Sequence, residues 1–187
     1  RGIWGGNIPC NNLTAYDIAV REGADMVEID VTKCADGELF IFHPGMEKRH
    51  LGMDVHIEQM TADEVRKLRL CNYDGAPTEI GLSTLDEVLE HLKGRCYINI
   101  DKFGDNPAEI IETVKRHDMK EQIILKCAPK KEQLAVIEKY APDIQFLPVI
   151  SKDNGCHEML SRMNINYIGA ELLFTTENDE TASAVWG

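Results

Sequence analysis

Apolar and polar positions repeat along this chain with two periods, and the switches between them mark its elements. From Asn12 to Glu22 the apolar residues Leu13, Tyr16, Ile18, Ala19 and Val20 fall at helical spacing, and Gly23 stops the run. Met26-Val-Glu-Ile-Asp-Val-Thr32 then alternates as a strand does. Val27, Ile29 and Val31 lie on one side, and Met26, Glu28, Asp30 and Thr32 on the other. Asp36-Gly37 is a turn signal, and Leu39-Phe-Ile-Phe-His43 is a second strand able to pair with the first as a hairpin. Residues 44–82 lose the regular pattern, apart from one short helix opened by the capping box Thr61-x-x-Glu64.

A second capping box, Thr84-x-x-Glu87, restores regularity. Leu85, Val88, Leu89 and Leu92 form a helical face that Gly94 ends. Strand 96–101 follows, then a helix after Asn106-Pro107 with Ile110, Ile111 and Val114, and strand 122–126. Pro129 opens a helix carrying Leu134, Ile137 and Tyr140; strand 145–150, helix 155–163, strand 166–173 and a last helical segment complete the chain. This αβ alternation with short links is the signature of a parallel sheet covered by helices. An open doubly wound sheet and a closed (β/α)8 barrel both satisfy it. No Gly-x-Gly-x-x-Gly follows a strand, so the dinucleotide fold lacks its usual mark. In a barrel, chemistry gathers at the C-terminal strand ends. Those ends carry Glu28, Asp30, His43, Asp101 and Lys126, with Ser151 just beyond, which favours the barrel.

The 187 residues suit a single domain, 1–187, with 44–82 as an insertion. A formal net charge of −12 argues against nucleic acid as a partner. No apolar run is long enough to span a membrane, so stable membrane insertion is not expected. The six cysteines show no paired short spacing and are expected to be reduced, mostly buried thiols. That leans to the cytoplasm, with a secreted or lipid-anchored protein that has lost its signal as the alternative.

Glu28 and Asp30 point the same way, about 7 Å apart along the strand. Such a pair is either solvated at an edge or neutralised by a cation or a proton. Asp101 shares a face with Tyr97 and Asn99, and can join the pair around one hard cation. Three carboxylates with waters suit Mg²⁺ or Ca²⁺ better than zinc. His43, on the Leu39-Ile41-His43 face, is a candidate general acid or base beside such a site, or a structural histidine. His50, His56, His91, His117 and His157 read as surface residues. Arg1 has the fork geometry that suits a phosphate, or is simply solvated.

These residues also occur in motifs. The chain resembles the glycerophosphodiester phosphodiesterases in Arg1-Gly2, Pro9-Cys-Asn-Asn-Leu13, Gly23-Ala-Asp-Met-Val-Glu-Ile-Asp-Val31, Asp36-Gly-Glu-Leu-Phe-Ile-Phe-His43, Leu82-Ser-Thr-Leu-Asp-Glu-Val88 and Ile98-Asn-Ile-Asp-Lys102. The resemblance implies a (β/α)8 barrel with an insertion after the second histidine, which fits 44–82. It implies one divalent cation, Mg²⁺ or Ca²⁺, held by Glu28, Asp30 and Asp101. Two histidines would act as acid and base and an arginine would hold the phosphate; His43 and Arg1 are the members of that set found here. The implied reaction is hydrolysis of a small phosphodiester to glycerol 3-phosphate and an alcohol.

The departures from the family pattern are specific. Its first catalytic histidine would stand before Arg1, its third ligand is usually Glu where this chain has Asp101, and Asp after the second histidine is Pro44. Glu in the Pro-Glu pair is Cys10. The family's lysine, two residues past the third carboxylate, is Phe103. Lys102 is displaced by one residue, which on a strand reverses its face, so Lys126 is expected to serve instead. A barrel runs to about 250 residues; at most six strand–helix units are legible, so the last two strands are expected to be absent. A phospholipase-D-like lyase forming a cyclic phosphate, and a catalytically inactive binding relative, are the alternatives. The oligomeric state is not legible.

Overall fold

The structure, a computed structural model, describes residues 1–2, 5–151 and 156–173. Helix α1 (Leu13–Arg21) is capped by Asn12, whose side chain accepts from the Ala15 N–H. It leads to β1 (Met26–Lys33) and β2 (Leu39–Ile41). The short helices α2 (Glu47–His50) and α3 (Ala62–Val65) follow. Regular alternation begins with α4 (Leu85–Leu92), β3 (Tyr97–Asp101) and α5 (Pro107–Arg116). It continues through β4 (Ile123–Cys127), α6 (Lys131–Tyr140), β5 (Gln145–Ile150), α7 (Cys156–Ser161) and β6 (Glu171–Leu172). Both expected capping boxes form, at Thr61 and Thr84.

The six strands make one sheet in the order β2-β1-β3-β4-β5-β6. Strands β1, β3, β4, β5 and β6 are mutually parallel, and β2 folds back antiparallel on β1 as the Asp36-Gly37 turn requires. The chain is therefore α/β, with its βα units arranged as an arc of a (β/α)8 barrel. The progression contains five parallel strands among the described residues; β2 is a hairpin arm outside it. Several boundaries move: the strand expected over 39–43 ends at Ile41, and the helix expected over 155–163 ends at Ser161. Helix α6 begins at Lys131, not at Pro129, and the strand expected over 166–173 narrows to Glu171–Leu172 with an isolated bridge from Tyr167 to Phe146. The helical segment expected at the chain end lies outside the described residues.

Strand alternation gives the sheet two unlike faces. On the outer one, Val27, Ile29, Val31, Ile98, Ile100, Ile123, Leu125 and Phe146 join one buried cluster. The apolar stripes of α4, α5 and α6 complete it. The inner face carries Glu28, Asp30, Asn99, Asp101 and Lys126 toward the C-terminal strand ends, while Met26 and Tyr97 at the opposite ends are exposed. A second cluster gathers Phe40 and Phe42 with Leu51, Ile57, Val65, Leu68 and Leu70 from the 44–82 segment, which thus has a core of its own.

Burial assigns the two faces different energetic roles. Ile100→Ala, at a position with no exposure, is expected to cost about 2–5 kcal/mol through lost burial and a cavity. Met26→Ala, on the same sheet but 44% exposed, is expected to stay within about 0.5 kcal/mol. Urea unfolding of both variants checks this; equal costs would contradict the two-faced reading.

Candidate functional site

The parallel register builds the site. Asp30 is paired with Asp101, and Glu28 with Asn99, across β1 and β3. Ile100 is paired with Leu125 across β3 and β4, which sets Lys126 beside Asp101 on the inner face. Glu28, Asp30 and Asp101 each bring a carboxylate oxygen within 4.8 Å of the others. They are the one group of this kind among the described residues. The glutamate's extra methylene lets its carboxylate lean along the strand toward the aspartates, closing the gap expected from backbone spacing alone.

Basic groups surround the carboxylates. Arg1 Nε is 2.9 Å from Asp30 Oδ2 and 3.6 Å from Glu28 Oε1. Lys126 Nζ is 3.6 Å from Glu28 Oε2, 3.6 Å from Asp101 Oδ2 and 3.0 Å from Glu171 Oε2. Burial acts to lower the Lys126 pKa, but the hydrogen bond to Glu171 and the charges of Asp101 and Glu28 outweigh it. The ammonium is thus held above its usual range. Asp30, fully buried, also accepts from Asn11 Nδ2 at 2.8 Å, and Asn11 Oδ1 accepts from the Tyr16 hydroxyl at 3.0 Å. Burial, then the charge of Asp30, pushes the Tyr16 phenol well up, which keeps it a hydrogen-bond donor.

Arg1 is fixed by its neighbour. Gly2 has φ +70°, and a Cβ there would lie 2.7 Å from the Ala15 backbone. The Arg1 carbonyl accepts from the Asn11 N–H at 3.0 Å. His43 follows Phe42, whose N–H donates to the Asp30 carbonyl at 2.9 Å, so the hairpin brings it alongside the end of β1. Its Nδ1 is 2.8 Å from the Pro44 carbonyl oxygen. A carbonyl only accepts, so Nδ1 carries the proton and the neutral ring has its lone pair on Nε2.

Two sequence expectations need correction. Lys102 does reach Asp101, with Nζ 3.7 Å from Oδ2, because it sits in a left-handed turn (φ +60°) where strand alternation no longer applies. Its N–H also donates to Asp101 Oδ1 at 2.7 Å. His50 is buried, not a surface residue, with Nδ1 3.9 Å from Cys10 Sγ. His91 and His117 are half-buried and pair with Asp17 and Asp86. Sequence reasoning places Glu171 within the strand expected over 166–173 but gives it no role, since nothing local links it to Lys126, 45 positions earlier.

A cleft of about 280 Å³ opens beside the carboxylates, lined by Asp101, Lys102, Asp105, Cys127, Gln133 and Glu171. A larger one, of about 640 Å³, lies by Asp25, Arg95 and Tyr97 at the opposite strand ends. All six cysteines are buried and none is in a disulfide. Burial pushes the Cys127 thiol up to about 12 and raises that of Cys10, so neither supplies a thiolate near neutral pH. The donor set suits a hard cation: three carboxylates, plus Asn99 Oδ1, a buried oxygen on the same face with no hydrogen-bond partner.

The fold and this oxygen-rich site define an α/β barrel-type protein with a candidate cation site at its C-terminal strand ends. Residues 1–176 match the Glycerophosphoryl diester phosphodiesterase family, and the chain belongs to that family. It is 26% identical over 148 residues to Uncharacterized protein YqiK of Bacillus subtilis, covering 75% of this chain and 60% of that one. It is 24% identical over 154 residues to a glycerophosphodiester phosphodiesterase of Caldanaerobacter subterraneus subsp. tengcongensis, with the same coverage. The chain thus spans 60% of the length of these two relatives. Among solved structures, it resembles an Oleispira antarctica phosphodiesterase in complex with the product sn-glycerol-3-phosphate, at TM-score 0.72 and 21% identity, covering 97% of this chain and 77% of that one. A Thermotoga maritima glycerophosphodiester phosphodiesterase gives TM-score 0.67 and 24% identity, with 94% and 71% covered. At these identities the likeness is one of fold. Among the described residues no helix is long and apolar enough to cross a membrane.

The burial of His50 has a measurable consequence. Burial, with help from Arg49, Arg1 and His43, lowers its pKa from 6.5. The unfolded chain therefore takes up this proton first on acidification. The histidine's contribution is complete above pH 6.5 and is lost as pH falls below that value. His50→Gln, which stays neutral, is expected to lose less stability than the unmodified protein between about pH 7 and about pH 5. Urea midpoints at the two pH values check this.

Proposed function

We propose that this chain hydrolyses glycerophosphodiesters to glycerol 3-phosphate and an alcohol, with one divalent cation, Mg²⁺ or Ca²⁺, held by Glu28, Asp30 and Asp101. The observation that carries the reading is the convergence of these carboxylates within 4.8 Å, flanked by Arg1 and Lys126, in a chain of this family. Residues 1–187 act as one domain in this reading, with 44–82 as an insertion that shapes the rim.

The cation, when bound, polarises the phosphoryl oxygens and offsets their charge. The protein's own residues do the rest. Asn11 and Tyr16 hold Asp30 in place through their hydrogen bonds. With their carboxylate partners engaged elsewhere, the Arg1 guanidinium and the Lys126 ammonium turn to the phosphate oxygens, Arg1 through its fork and Lys126 as a point charge. His43, anchored through Nδ1, uses Nε2 to carry a proton between the reacting oxygens as the phosphorus–oxygen bond to the alcohol gives way to one from water. The small cleft beside Asp101 receives one arm of the diester.

Phosphodiester hydrolysis is expected to require added Mg²⁺ or Ca²⁺ and to stop with chelator. Glu28→Gln and Asp30→Asn are expected to abolish the cation-dependent rate; undiminished turnover in Glu28→Gln would sink the assignment. His43→Asn is expected to lower kcat by about 10²–10⁴ while cation binding measured by calorimetry is unchanged. Asp101 in a place where the family usually has Glu favours a second reading, a lyase that forms a cyclic phosphate. Phosphorus NMR of the product decides between the two.

A further inference from the structure

We propose that Glu171 is a positioning residue that draws the Lys126 ammonium off the carboxylates and so sets how strongly this built-in cation competes with a divalent ion. The inference rests on the cation reading above and goes beyond it, to a residue on the last described strand.

The geometry is that of a shared charge. Lys126 Nζ is 3.6 Å from both Glu28 Oε2 and Asp101 Oδ2, and only 3.0 Å from Glu171 Oε2, where it makes its hydrogen bond. Its side chain is 5% exposed, so water does little to screen these contacts. Two of its three carboxylate neighbours are members of the candidate cation cluster; Glu171 is not. An ammonium close to Glu28 and Asp101 offsets the same negative charge that a divalent ion would, so the two compete. The position of Lys126 between the carboxylate cluster and Glu171 then decides how much of that charge is available. Glu171 pulls it outward. Its carboxylate reaches the inner face because β6 is parallel to β5, with Glu171 in register with Val149. Arg1 and Lys102, the other basic groups near the cluster, have side chains 36% and 32% exposed and can turn toward solvent. Lys126 has no such exit, and Glu171 supplies its alternative.

The test is a double-mutant cycle read as the affinity for Mg²⁺ or Ca²⁺ alone, by calorimetry on the full chain without substrate. Lys126→Gln is expected to tighten cation binding about tenfold, by removing the competitor. Glu171→Gln is expected to weaken it about tenfold, because Lys126 falls back onto Glu28 and Asp101. In the Lys126→Gln background the Glu171→Gln effect is expected to shrink below about twofold, since no ammonium remains to be positioned. Glu171→Asp, which keeps the charge, is expected to recover part of the loss. Effects that add across the cycle mean that Glu171 acts by its own charge, and they overturn the inference while leaving the cation site intact. An unchanged affinity in Glu171→Gln overturns it as well. No cation binding by the unmodified chain would defeat the cation reading itself. Thermal unfolding of each variant guards against misfolding, and Lys126→Met repeats the arm with an apolar stem of similar length.

Discussion

Three carboxylates cannot be gathered on one strand-end face without positive charge nearby, and the inner face of this sheet is arranged around that constraint. Asp30 has no exposure to water, so its negative charge is met by protein groups alone: Arg1 from one side and the Asn11 amide from another. Removing any one partner leaves the rest crowded. The hydrogen-bonded chain from Tyr16 through Asn11 to Asp30 ties helix α1 to the site, so the helix is part of its scaffolding as well as part of the outer core. The close approach of Gly2 to Ala15 belongs to the same arrangement, since it holds the Arg1 backbone against α1.

The register that places the carboxylates is fixed by the other face. Val27, Ile29 and Ile100 are buried in the outer cluster, and slipping either strand by one residue would carry them to the inner side. Hydrophobic burial on one side of the sheet thus determines which polar groups meet on the other. Lys126 reaches the cluster for the same reason, since Ile123 and Leu125 beside it are buried among the helices.

What the sequence disclosed and what it hid follow from this division. The alternation in Met26–Thr32 and the amphipathic runs after Thr84 are local patterns, so strand faces, the order of the helices and the grouping of Glu28, Asp30 and Asp101 could be read directly, while exact helix limits could not. The burial of His50 could not, because it arises from the second apolar cluster, which is built from irregular segments that meet only in three dimensions. Lys102 escaped for a different reason. Its left-handed backbone breaks the alternation rule at the point where the rule was applied. Glu171 falls within the strand read over 166–173, but its role depends on a lysine 45 positions earlier, which no local pattern reveals.

Strand β2 has a divided allegiance, and its consequence reaches the carboxylates. Leu39 and Ile41 belong to the main core, while Phe40 belongs to the second cluster, together with Phe42 just past the strand. The segment 44–82 therefore leans on the far side of a wall whose near side belongs to the rest of the fold. Its side chains can be exchanged or repacked as long as something covers the two phenylalanines. That flank can therefore loosen or repack without moving the carboxylates on β1 and β3, whose places are set by the core on the other side of the wall.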